Sequence, residues 1–204
     1  MRPLNRNAGL TLLLLTCWLP GRASLFSKAY VGSLDPPQTQ SSVAITEANW
    51  QQHPKIRPIR KMVSAINIGL KNGSFRSSQR RFESCGDQYF TLRRIARDAK
   101  GSVVWYEDYG EGEDSSWDYH YYYDNEHRLR FALILVNAAN GSREQHRGYY
   151  DESGQLIWQN RKTLKGPGYF RPTDIDELAK RDPAKKYAND QGCQEIKPRS
   201  GRRS

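Results

Sequence analysis

The sequence predicts an α+β domain: an N-terminal amphipathic helix packed on a curled, six-stranded antiparallel β-meander, held by one disulfide. Three observations carry that expectation. Apolar residues recur at three- and four-residue steps between Ile56 and Leu70. One turn frame appears three times at near-equal spacing, and two cysteines remain once an export signal is set aside.

The export signal comes first in the chain. Arg2 and Arg6 give a positive start, and an apolar stretch runs from Ala8 to Leu19. Pro20-Gly21 breaks that stretch, and Gly21-Arg22-Ala23 offers small residues on either side of a spacer. This order reads as a secretory signal over residues 1–23, cleaved after Ala23. The apolar run is shorter than the roughly 20 residues that span a bilayer, so no transmembrane segment is expected after cleavage. A rival reading takes Leu14-Leu15-Thr16-Cys17 as a lipoprotein processing site with Cys17 lipidated; Thr16 and Trp18 fit it poorly. The expected location is periplasmic or extracellular.

Removing the signal leaves about 180 residues, enough for one domain with its own core. It also leaves Cys85 and Cys193, which in an oxidising compartment pair most simply with each other. By chain entropy, a loop of that length stabilises by roughly 4 to 5 kcal/mol. Loss of Arg2, Arg6 and Arg22 lowers the formal charge from +10 to +7. The excess is uneven: between Glu47 and Glu83 there is no acid, but Lys55, Arg57, Arg60, Lys61, Lys71, Arg76, Arg80 and Arg81 are all basic. Lys197, Arg199, Arg202 and Arg203 make a basic tail, whereas Glu107 to Asp114 is a local acidic run. Such polarisation bears on partners rather than on fold.

Residues 24–45, with Ser, Gln and Pro36-Pro37, read as a flexible linker. The helix and meander occupy 46–172. Ile56, Ile59, Met62, Val63, Ile66 and Leu70 form one helical face, and Arg57, Arg60 and Lys61 fall on the other. Pro58 is tolerated only in the first turn, which places the helix start near Lys55 or Arg57. Asn72-Gly73 stops it. The repeated frame is Asp-x-x-(Gly or His)-x-aliphatic-x-aromatic, starting at Asp98, Asp124 and Asp151. A fixed period of this kind signals a recurring structural unit. The physical reading is a hairpin turn whose Asp accepts backbone amides and whose fourth residue takes the left-handed conformation. His127 stands in for Gly in the second copy.

Six strands follow from the three frames: 89–97, 102–106, 117–123, 128–137, 144–150 and 155–163. The run from Phe131 to Val136 reads as a central strand buried on both faces, with the helix on one side. Residues 173–204 read as a short helix capped by Thr173 and a basic tail, tethered through Cys193.

Candidate sites rest on alternation. Trp117, Tyr119, Tyr121 and Tyr123 share one face of a strand, opposite Asp118, His120 and Tyr122. They are either ordinary core or a platform for a protein or envelope polymer; Arg57, Arg60 and Lys61 add a basic surface. His120 and His146, with Asp118 or Glu144, are the weak catalytic candidates for an acid–base pair. The histidine spacing matches no zinc motif, the acidic run lacks calcium-loop spacing, and no cofactor motif is present, so neither metal nor cofactor is expected. The acidic run itself reads as a solvated hairpin tip.

The three Asp-x-x-Gly-type frames, with Tyr-Tyr before Asp124 and Asp151, resemble the tyrosine-aspartate (YD-type) hairpin repeats of bacterial exported proteins. From the helix through Lys165-Gly-Pro-Gly-Tyr169, the chain is similar to small uncharacterised bacterial exported proteins. The resemblance implies a location and a fold, with no activity attached. The expected function is non-catalytic: binding a protein or an anionic envelope polymer, as an inhibitor or assembly factor. The alternative is a small periplasmic hydrolase using His120 and His146 with a nearby carboxylate. Export and the lack of any nucleic-acid motif argue against a nucleic-acid partner.

Overall fold

The computed structural model describes residues 43–167, 174–190 and 192–196. The expected signal over residues 1–23 with Cys17, most of the expected linker, Thr173 and the basic tail lie outside them. The apolar period yields α1 (Arg57–Lys71), with Pro58 in its first turn and Asn72 as its C-cap. Ile56, Ile59 and Ile66 are buried, and Met62, Val63 and Leu70 pack against them. The helix does not open the described structure. Residues 46–53 form packed turns ahead of it, in which Trp50 meets the Tyr149 ring at 5.8 Å.

Among the described residues eight strands, not six, make one antiparallel sheet: β1 (Arg76–Cys85), β2 (Phe90–Arg97), β3 (Val103–Glu111), β4 (Ser115–Tyr123), β5 (Leu129–Ala138), β6 (Arg143–Tyr150), β7 (Leu156–Lys165) and β8 (Cys193–Glu195). The order β7-β6-β5-β4-β3-β2-β1-β8 is a meander closed at one edge by the distant β8. Cys193 pairs with Cys85 in that edge ladder, and the two are disulfide-bonded.

The repeated frame forms the expected turns. In each, the Asp Oδ1 accepts two backbone amides, from Lys100 and Ser102, Glu126 and Arg128, and Ser153 and Gln155, all at 2.9–3.0 Å. The fourth residue is left-handed: Gly101 at φ 92°, His127 at 64° and Gly154 at 79°. The turn Ala138–Ser142 has the same backbone hydrogen bonds with Ala in the Asp position. The backbone geometry therefore defines the turn, and the Asp only reinforces it.

Register divides the sheet into two faces. Trp105↔Tyr122, Tyr122↔Phe131, Phe131↔Tyr149 and Tyr149↔Trp158 make an aromatic row under α1. The opposite face buries Ile95, Tyr106, Tyr121, Tyr123, Ala132 and Tyr150. Its cover is a C-terminal strap: a 3-10 turn at Ile175–Glu177, the short α2 (Leu178–Arg181) and a second 3-10 turn at Pro183–Ala188. Leu178, Ala179, Ala184 and Tyr187 pack on that face. The Tyr150 hydroxyl donates to the Ile175 carbonyl, and Gly148 admits the Ile175 side chain where a Cβ would come within 3.0 Å of it. The sheet is thus the middle of three layers, which a helix-on-sheet expectation did not contain.

The acidic run also departs from expectation. Glu107 and Asp108 lie inside β3, each 2 % exposed and pointing to opposite faces, instead of at a solvated tip. Each is buried because a base meets it: Arg94 on Glu107, and Lys186 on Asp108 at 2.6 Å.

Candidate functional site

The end of α1 and the aromatic row beneath it leave an open groove of about 560 Å³. Its floor is Tyr122, Phe131, Leu133 and Tyr149, and Trp50 forms one wall. Cations stand at its rim: Arg60 and Lys71 from α1, and Arg147 from β6. No carboxylate lines it, and none of the three cations is ion-paired among the described residues. Arg60 lies over the Trp50 ring at 5.5 Å and donates to the Gln51 carbonyl at 2.8 Å, which fixes its guanidinium beside the groove. Burial pushes the Tyr149 phenol up, while the positive charges of Arg147 and Arg60 pull it back, so both guanidiniums act on the same floor residue. The Tyr122 hydroxyl donates to Asn67 Oδ1 at 2.9 Å and ties floor to helix.

These parts suit an anionic ligand with apolar or ring-like surface. The aromatic floor provides contact area, and guanidiniums bind carboxylate or phosphate in two-pronged geometry. Of the predicted basic residues, the structure brings Arg60 to this groove; Arg57 and Lys61 are exposed on α1 and do not line it. Sequence reading missed Trp50, Arg147 and Lys71 as partners of Arg60. Their only signal was an aromatic or a base near a predicted core, and register decides where such residues point.

The aromatic row of β4 divides. Tyr121 and Tyr123 are buried under the strap, and the Tyr123 hydroxyl accepts the Ala184 amide at 3.0 Å. Trp117 and Tyr119 are half-buried. Part of the row is core and part reaches an opening, described below.

His120 and His146 do not converge. His120 faces Leu133 across the ladder and His146 faces Ile134, so they project from opposite sides of the sheet. Each keeps its own carboxylate: His120 with Asp118 at 3.0 Å, and His146 with Glu144 at 3.1 Å. Glu144 is further held by Arg161 at 2.7 Å. Burial opposes its charge, but hydrogen bonds from His146 and Arg161 outweigh that and lower its pKa. His53 is buried against the Val43 carbonyl, and His127 sits in its turn.

Glu107, Asp118 and His120 each offer one atom within 4.8 Å of the others and so could hold a metal ion. Glu107 is already bound through both oxygens by Arg94, which opposes a cation there. No helix among the described residues is long and apolar enough to cross a membrane.

The fold and groove define a class: a disulfide-stapled antiparallel β-meander carrying a basic, aromatic groove. Comparison takes the chain no further, since no family model, curated protein or solved structure matches it.

Proposed function

We propose that the protein is an exported, non-catalytic binding protein of the bacterial envelope, and that its helix–sheet groove holds a segment of an anionic envelope polymer. The observation that carries this reading is a set of three cations, Arg60, Lys71 and Arg147, around an aromatic floor, with no ion pair to them and no carboxylate in the lining among the described residues. Arg60 and Lys71 are exposed and Arg147 is half-buried, so all three can reach an anion lying on the ring surface. The hydrolase alternative lacks its dyad, because the two histidines lie on opposite faces.

The test is titration of the mature protein into fluorescently labelled polygalacturonate and polyglycerol phosphate, with neutral dextran as control. At least one anionic polymer should bind in a salt-dependent manner. The double substitution Arg60→Ala/Arg147→Ala should weaken binding by about tenfold or more, at about 1 kcal/mol or more per charge-assisted hydrogen bond lost. Binding unchanged by that substitution, or no binding to either polymer, overturns the reading.

A further inference from the structure

A second cavity, of about 420 Å³, lies on the other face of the sheet between β3–β4 and the strap. Tyr106, Asp108, Tyr119 and Tyr121 line it from the sheet, and Pro183 and Lys186 from the strap. Two of its polar atoms are buried and have no hydrogen-bond partner among the described residues. The Tyr106 hydroxyl, on a residue 0 % exposed, has no hydrogen-bond partner. Asp108 Oδ1, on a residue 2 % exposed, has none either, because its nearest cation, Arg93 Nε, stands at 3.7 Å, beyond hydrogen-bond reach. Buried groups of this kind are normally satisfied.

We infer that this cavity is a binding site for a neutral sugar of one or two rings, with Tyr106 donating to a ring or hydroxyl oxygen and Asp108 Oδ1 accepting from a neighbouring hydroxyl. A sugar presents adjacent donors and acceptors on its edge and apolar C–H surface on its faces. The two buried atoms supply one donor and one acceptor beside the Tyr119 and Tyr121 rings, which meet edge-to-face at 6.3 Å, and Arg181, Asp182 and Lys185 add charged groups on the strap side. Burial holds the Tyr106 phenol far above its ordinary pKa, so it remains a proton donor. Lys186 Nζ holds the other oxygen of Asp108 at 2.6 Å, leaving Oδ1 as an acceptor. The volume exceeds that of a single hexose and accommodates a second ring. This site lies on the opposite side of the sheet from the basic groove and does not depend on it.

The experiment is ligand-observed saturation-transfer NMR on the mature, oxidised protein with maltose and N,N′-diacetylchitobiose as probes. At least one should bind saturably. Tyr106→Phe, which keeps the ring and removes only the hydroxyl, should weaken that binding by about fivefold to tenfold, and the Arg60→Ala/Arg147→Ala protein should bind as the parent does. Three results overturn the inference: neither sugar binds, Tyr106→Phe binds unchanged, or binding is lost only in the groove substitutions, which would put the sugar in the groove.

Discussion

Replacing Cys85 and Cys193 together by Ser removes a cross-link between positions 108 residues apart. In the chain-entropy model, a loop of that length restricts the unfolded chain by about 4.8 kcal/mol at 25 °C. Native contacts around the bond survive the substitution, because other groups hold the strap and β8. Arg80 grips Glu195 at 2.7 Å and Asp190 at 3.2 Å, and Arg93 donates to the Lys186 carbonyl at 2.8 Å. The effect should therefore act through the unfolded state. Urea denaturation should show a loss of about 4 to 5 kcal/mol, and the slope of stability against urea should steepen, because an unlinked chain exposes more surface. For a domain of this size the midpoint temperature should fall by roughly 10–20 °C. A loss under about 1 kcal/mol with an unchanged slope would refute the reasoning, since the bond would then not be restricting the unfolded chain.

Three further outcomes are expected. His127→Gly relieves a left-handed non-glycine residue at φ 64° and should stabilise by about 1 kcal/mol in the same denaturation assay. Tyr106→Phe without ligand removes a buried hydroxyl that has no partner, so the midpoint should hold or rise, by up to about 1 kcal/mol of stability. On acidification, Asp124, Asp151 and Glu144 have folded-state pKa values below their ordinary ones: burial opposes this, but hydrogen bonds to Asp124 from Arg128 and Arg130, and to Asp151 from Ser153 and Gln155, prevail, as do those to Glu144. Their contribution is full above the ordinary carboxylate range and lost as pH falls through the depressed values. Stability should thus drop below about pH 4, and Asp124→Asn should flatten that drop when melting is followed from pH 7 to pH 2.

Much of the local structure was legible in the sequence. The period of α1 and the frames at Asp98, Asp124 and Asp151 encode geometry within a few residues, so helix and turns appear where the pattern puts them. β1 was not legible: Arg76-Ser-Ser-Gln-Arg-Arg has no strand alternation, only Phe82 is buried, and pairing with β2 supplies its order. β8 has three residues and exists because the disulfide and β1 hold it. The groove was half visible, through Arg60 on the helix, but Arg147 and Trp50 join it only through sheet register and chain return. The pairing of His120 with His146 failed for the same reason: Leu133 and Ile134 are consecutive on β5, and one residue of register separates the two faces. Glu107 and Asp108 looked like solvent-facing acids because their bases come from β2 and from the strap.

The strand order has a consequence for how the molecule is made. From β1 to β7 every strand pairs with its sequence neighbour, so the sheet can zip up from local contacts as the chain appears, which favours rapid folding. Among the described strands, β8 alone pairs with one more than a hundred residues earlier. Until Cys193 arrives, the outer edge of β1 has no partner among the described strands, and every second residue of it presents free backbone groups to any other extended chain. The bases along β1, among them Arg76, Arg80 and Arg81, repel a second copy of that edge during the interval. β8 covers the Phe82–Cys85 end of that edge, and the sulfur–sulfur bond beside it locks the cover in place, while the arginines guard the part of β1 it does not reach.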